Sequence, residues 1–223
     1  MELQLAPGLG ERVRLGVVHV EGLTVAREAP QVRAEARELG EVLRGRYAGR
    51  APGEIEALKH ARELYRLLGE DPTKNRPSSE ALLRRVLRGQ TLPSINVLVD
   101  VVNLCSLKFL LPIGLYDLDR VRGGVCVRLG RPGETYESLG KGAFRADRRL
   151  VVADEQGPMG GPTNDSLRTA VTEDTRRCLA VIFAPSSFPA TRMADHVRVL
   201  SERIVRHGGG RVVQTHILPP TAR

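Results

Sequence analysis

The sequence predicts an α+β fold on three observations. Apolar residues recur at helical spacing through the first half of the chain. After Val125 the texture changes to short apolar runs separated by glycine turns. The two textures are segregated, whereas a βαβ chain would alternate them. The 223 residues show no internal repeat and no clear linker. The reading is one compact mixed domain over residues 1–223, helices mostly in the first half and a sheet in the second.

The elements follow in order. Residues 13–20 (VRLGVVHV) alternate loosely and read as a first strand. Val32, Ala36, Leu39 and Leu43 mark one face of a helix from Pro30 to Gly45. The same spacing through Ile55, Leu58, Tyr65 and Leu68 predicts a helix from Gly53, with Gly69 as its stop. After Pro77, Ser78 and Ser79 offer an N-cap to a third helix ending near Gly89. Ile95 to Phe109 is apolar nearly all round, so that helix belongs inside the protein. CVRL, RLVVAD and CLAVIFAP read as strands, and Met193 to Arg206 as a basic amphipathic helix. The break Gly208-Gly209-Gly210 then leads into a last strand, RVVQTHIL.

Composition excludes several classes. Apolar residues at 41% and charged residues at 27% fit a soluble globular chain, and with 4% aromatics the core falls to Leu, Val, Ile and Ala. No run approaches the roughly 20 apolar residues that cross a membrane. The N-terminus lacks the basic-then-apolar order of a secretory signal, so a cytoplasmic protein without a membrane partner is expected. Cys105, Cys126 and Cys178 are dispersed in apolar surroundings, which suits buried thiols and not a disulfide frame or zinc site. Neither a metal nor a cofactor is expected. The net charge of +8 is carried mostly by arginine, which forks onto phosphates. A polyanion such as tRNA would explain it, and so would an arginine-rich codon usage.

Three stretches carry candidate chemistry. Asp154 to Thr175 crowds carboxylates, hydroxyls, amides and an arginine between two apolar strands, and is longer than a usual connection. Gly160 and Gly161 let a backbone approach a ligand closely. Asn164, Asp165 and Ser166 can form a turn unaided, but Arg168, Thr169, Thr172 and Thr175 follow too densely for a simple turn. In Asp71 to Glu80, Lys74 and Arg76 precede a helix N-terminus holding Ser78, Ser79 and Glu80, a place where anions bind. A capped helix accounts for Ser78 and Glu80 but leaves Lys74 and Arg76 unexplained. Asn103 lies mid-way along the buried helix, where an unbonded amide costs about 1–3 kcal/mol. It either bonds a nearby loop or faces a pocket and orients a substrate group or a water. Asn96 caps that helix or joins the same network. His19, His60, His196, His207 and His216 lie outside these polar strings.

The run INVLVDVVNLCSLKFLLPIGLYDLDRVRG, followed by GETYESLG, VVADEQGP and a glycine pair, resembles the editing domain of the phenylalanyl-tRNA synthetase β chain. That domain is also called the B three/four or tRNA-binding domain, and the similarity is to its free-standing versions. It covers roughly residues 60–185. The resemblance implies a mixed α/β fold and hydrolysis of an amino acid wrongly esterified to tRNA. Asn103 keeps the amide of the family's Thr-Asn pair, while Val102 stands at the hydroxyl. Gly114 aligns with the family's histidine, Val181 with a glutamate that reads the tyrosine hydroxyl, and Gly160 and Gly161 with its glycine-rich substrate wall. Without that histidine and glutamate, tyrosine specificity does not transfer.

These readings place Asn103, Glu80 and Asp165 in catalysis. Lys74, Arg76, Ser79, Gly160, Gly161, Asn164, Arg168, Thr169 and Thr175 are placed in substrate binding. The leading expectation is a trans-editing aminoacyl-tRNA deacylase with tRNA as partner. A non-catalytic tRNA-binding module and an amino-acid-like small-molecule binder or enzyme stand as alternatives.

Overall fold

The computed structural model describes residues 3–140 and 142–219. The fold is α+β, in three layers. A short strand β1 (Leu3–Leu5) and a long strand β2 (Val13–Glu21) open the chain. Four helices follow: α1 (Pro30–Tyr47), α2 (Lys59–Leu67), α3 (Ser78–Leu87) and α4 (Val97–Phe109). Then come β3 (Ile113–Asp117), β4 (Val125–Leu129), β5 (Thr135–Ser138), β6 (Gly142–Arg145), β7 (Leu150–Asp154), β8 (Gly157–Gly160) and β9 (Arg177–Pro185). Helix α5 (Ala190–Gly208) and strand β10 (Arg211–Leu218) close it.

Among the described residues the strands form two four-stranded sheets and a two-stranded hairpin, not one sheet. The first, ordered β10-β2-β9-β3, is antiparallel throughout. The second, ordered β1-β4-β7-β8, is antiparallel except for the β1–β4 pair, and β5–β6 is a separate hairpin. Strand β9 explains why its sequence is apolar without alternation. Cys178, Ala180, Ile182 and Ala184 point into a core shared with α4 and α5. Leu179, Val181 and Phe183 point the other way, into a layer shared with β4, β7 and α2. Successive strand residues face opposite sides, so a strand covered on both must be apolar throughout.

The helix layer departs from the sequence reading at its ends. The helix predicted from Gly53 begins only at Lys59, after two short 3-10 turns. Glu54 folds back on the Ala51 amide at 2.8 Å, and Ile55 is extended, which prevents a continuous helix. The predicted serine N-cap of α3 is also corrected. Pro77 occupies the cap position, and the Ser78 amide donates to the Pro162 carbonyl at 3.1 Å. Asn96 does cap α4, accepting from the Val99 amide at 3.0 Å, and it also donates to the Val171 carbonyl at 3.3 Å. The Asp100 carboxylate gathers the Ile95 amide and the Ser94 hydroxyl, both at 3.0 Å. Helix α4 ends at Leu110 in the left-handed region (φ 55°). The Arg203 and Glu35 side chains pair twice, at 2.8 and 2.5 Å, and tie α5 to α1. Cys105 and Cys178 are buried thiols as expected, while Cys126 is half-buried.

Phe183 is fully buried in the inter-sheet layer. Phe183→Ala is expected to cost about 3–5 kcal/mol, read as a lower midpoint in urea denaturation with an unchanged slope. A loss under about 1 kcal/mol would contradict a packed layer between the sheets.

Candidate functional site

The sequence suggests an open polar loop from Asp154 to Thr175, and the structure corrects that picture. Asp154 to Gly157 is the tight turn between β7 and β8. The rest is stapled to its neighbours. The Ser166 amide donates to the Met159 carbonyl at 2.8 Å, Leu167 to Glu137 at 2.9 Å and Gly161 to Asn164 at 2.9 Å. Tyr65 and Thr163 share a hydroxyl hydrogen bond at 2.6 Å, and Tyr136 donates to the Asn164 carbonyl at 2.8 Å. The segment also closes the outer edge of β3. The Leu115 amide donates to Asp165 Oδ2 at 3.1 Å, and the Asp117 amide to the Thr169 carbonyl at 2.9 Å.

Beside this segment lies a cleft of about 840 Å³. Helix α4 presents Val99, Val102, Asn103 and Ser106 to it, residues three and four apart and hence on one helix face. Ile113 and Leu115 of β3 continue the apolar wall, with Ala170 and Val171 beside them. Lys74, Asn75, Arg76 and Ser78 border it where α3 begins, and Gly161, Thr163, Asn164 and Asp165 complete the lining beside them. Ile95 and Leu139, large apolar residues left 58% and 46% exposed, also border it.

Asn103 is half-buried, and its amide makes no hydrogen bond to any described residue, so the loop-bonding alternative is not what the fold uses. Asp165 differs. Its Oδ1 is covered and lies beside the buried Tyr116 hydroxyl, and neither meets any other partner among the described residues. Burial pushes the carboxyl up from its ordinary 3.8 to about 7, against the opposing pull of the Leu115 amide and the Tyr116 hydroxyl. Two glycines leave room for these groups. A Cβ on Gly160 (φ 150°) would lie 2.5 Å from Asp165 Oδ1, and one on Gly114 would lie 2.3 Å from the Tyr116 hydroxyl. Gly161 is fixed by a different contact, since its Cβ would meet the Leu150 carbonyl oxygen at 2.4 Å.

Six predicted site residues therefore come together around one cleft: Lys74, Arg76, Asn103, Gly161, Asn164 and Asp165. The others lie elsewhere. Glu80, placed in catalysis on sequence grounds, is 2% exposed and sits between Arg62 at 3.4 Å and Arg76 at 3.6 Å. A buried carboxylate needs such partners, and they turn it away from the cleft. Ser79 is buried beside it. Gly160 lies behind the wall, against Asp165. Arg168 forks onto Asp154 at 2.9 and 2.8 Å and so anchors the β7–β8 turn. Burial raises the Asp154 carboxyl, but Arg168 and the Arg122 and Gln156 amides outweigh it and hold the group below the usual carboxylate range. Thr169 donates weakly to the Met159 carbonyl at 3.4 Å, and Thr175 donates to Asp117 Oδ2 at 2.7 Å, both in the interior. None of these six lines the cleft. The sequence reading missed the apolar wall, although the spacing of Val99, Val102, Asn103 and Ser106 already put four of its residues on one face.

The family model for the B3/4 domain matches residues 60–206, well over half of the chain. The chain belongs to the B3/4 domain family. Among curated relatives, this B3/4 chain is 34% identical over 130 residues to the phenylalanine–tRNA ligase beta subunit of Bartonella henselae, covering 55% of the chain and 15% of that protein. Against the same subunit of Yersinia pestis it is 39% identical over 111 residues, covering 47% and 14%. Against that of Ralstonia nicotianae it is 38% identical over 90 residues, covering 37% and 10%. The chain thus spans only 10–15% of these relatives' length. A solved N-terminal fragment of the phenylalanyl-tRNA synthetase beta subunit from Pyrococcus horikoshii aligns over 99% of the chain and 55% of the fragment, at 12% identity and a TM-score of 0.46.

The family assignment gives Gly114 and Val181 a structural meaning. They are direct cross-strand partners on β3 and β9. Val181 is fully buried in the inter-sheet core, and the Tyr116 ring covers the space beside Gly114. Neither lines the cleft.

The raised Asp165 carboxyl has a signed consequence. Between about pH 4 and 7 the folded state holds a proton that the unfolded state releases, so stability falls as pH rises through this window. Asp165→Asn is expected to flatten that fall, measured as melting temperature against pH for both proteins. An identical decline in the variant would place the titration elsewhere.

Proposed function

We propose that this chain is a trans-editing hydrolase that cleaves a wrongly attached amino acid from tRNA. The observation that carries the reading is the free Asn103 amide in an apolar cleft bordered by Lys74 and Arg76. The B3/4 family and the relatives' printed name, phenylalanine–tRNA ligase beta subunit, supply the tRNA side. A basic chain of net charge +8 is suited to that partner.

In this reading the amino-acid side chain lies against Val102, Ile113, Leu115 and Val171. The ester carbonyl faces Asn103, and the terminal phosphates meet Lys74 and Arg76. Water attacks the ester carbonyl carbon, the bond to the ribose oxygen breaks, and the free amino acid and the tRNA hydroxyl leave. Asn103 either donates to the developing oxyanion or holds the attacking water. An activated ester needs positioning and charge stabilisation more than a strong nucleophile. The Gly161–Asp165 wall fixes the floor, and Asp165 acts through the Leu115 amide by holding β3 in place. The wall of Val102, Ile113, Leu115 and Val171 favours an apolar amino-acid side chain. A cytoplasmic setting follows from the tRNA reading.

Among the described residues no histidine lines the cleft. That favours a second reading, a tRNA-binding module that leaves the ester intact.

Deacylation followed over a panel of mischarged tRNAs separates the two. Wild type is expected to release an apolar amino acid faster than buffer does. Asn103→Ala is expected to lose about 10²–10³-fold in rate, the cost of one donor at a developing oxyanion, with its melting temperature retained. No acceleration on any tRNA would sink the hydrolase and leave the binding module.

A further inference from the structure

Two arginines meet one carboxylate at the start of α3. Glu80, in the first turn of that helix, lies 3.4 Å from Arg62 of α2 and 3.6 Å from Arg76. Arg62 and Glu80 are both buried, whereas the Arg76 side chain is 37% exposed and borders the cleft. Neither Arg62 nor Glu80 lines that cleft. No other carboxylate pairs with either arginine among the described residues. Asp71, whose carboxyl also feels the charge of Arg62, is turned to the Thr73 amide and hydroxyl at 2.8 and 2.7 Å. One positive charge is therefore left over, and Arg76 is the member of the triad that reaches the cleft.

The contacts within the triad differ from the arginine pairs that hold the fold. Arg168 forks onto Asp154 at 2.9 and 2.8 Å, and Arg128 onto Glu134 twice at 2.7 Å, so those guanidinium groups are spent. The Arg76 contact is single, runs through Nε and is too long for a formed hydrogen bond. Its two terminal nitrogens make no hydrogen bond to any described residue and are left for another partner. A buried ion pair adds little stability over apolar packing, so stability alone does not account for Arg62 and Glu80. Orientation does. Glu80 fixes the Nε side of Arg76, and Arg62 offsets Glu80, so the pairing does not cancel the charge that Arg76 presents. Without Arg62, Glu80 and Arg76 would neutralise one another.

We propose that Arg62 and Glu80 are positioning residues that make Arg76 the anchor for one anionic group on an apolar ligand in the cleft. That group is a carboxylate or a phosphate monoester. The inference rests on the cleft being the binding site, as in the reading above, but not on hydrolysis.

The test uses the full chain and three probes with one shared tail: isocaproate, its neutral amide and isoamyl phosphate. Affinities are read by ligand-observed NMR. Wild type is expected to bind at least one anion about tenfold tighter than the amide, the worth of one charge-assisted hydrogen bond. The two anions tell carboxylate from phosphate. Arg62→Met is expected to lose most of that preference while its amide affinity stays, and Arg62→Lys, which keeps the charge, to retain it. Arg62→Met/Glu80→Gln leaves no buried carboxylate short of a partner, and with Arg76 unheld it is expected to lose the preference as well. Damage to the fold weakens all three probes together, so the ratio of affinities separates positioning from structural support. A preference that survives in both Arg62→Met variants would overturn the proposal. So would a wild type that binds the amide as well as the anions, or binds none of the three. The deacylation panel decides separately: activity without an anion preference removes this inference alone, and an anion preference without activity removes only the hydrolase.

Discussion

The outer edge of β3 is the constraint around which the rest of the molecule is arranged. This strand ends the first sheet, and its free amides are buried between the helix layer and the second sheet. Buried backbone donors need acceptors. The Leu115 amide takes a carboxylate oxygen of Asp165, and the Asp117 amide takes the Thr169 carbonyl. A side chain thus serves where another strand would. That substitution keeps the edge from pairing with a foreign chain. It also leaves a hollow where a strand would have filled the space, and the cleft is that hollow.

Much of this was legible in the sequence, for identifiable reasons. Strand β9 is apolar throughout because both its faces are covered, and helix α4 is apolar nearly all round because every side but the one along the cleft is packed, so their burial could be read directly. The α+β class followed from the change of period near Val125. Short elements such as β1, β3 and β8 were not read, since three to five residues hold too little periodicity to separate strand from loop. The division into two sheets was equally hidden. Pairing between Leu3–Leu5 and Val125–Val127 joins residues far apart in the chain and leaves no local pattern.

The candidate site was half legible for a related reason. Polar density in Asp154–Thr175 pointed to a segment that borders the cleft, but density cannot tell a side chain that faces a cavity from one that satisfies the fold. Arg168, Thr169 and Thr175 went to the second purpose, and Glu80 was claimed by two arginines. Asn103, Asn164 and Lys74 went to the first. The apolar wall escaped notice because valine and leucine in a buried helix or strand read as core. Only the tertiary arrangement leaves one face of α4 uncovered.

The exposed Ile95 and Leu139 at the cleft's edge bear on how temperature governs occupancy. In the free protein both hold apolar surface against water. A ligand that covers them removes that surface, and removal of apolar surface carries a negative change in heat capacity. The enthalpy of association then grows more favourable with warming while the entropy declines. Because the two contributions move in opposite directions, affinity itself changes little across the physiological range, even as the heat released on binding changes strongly.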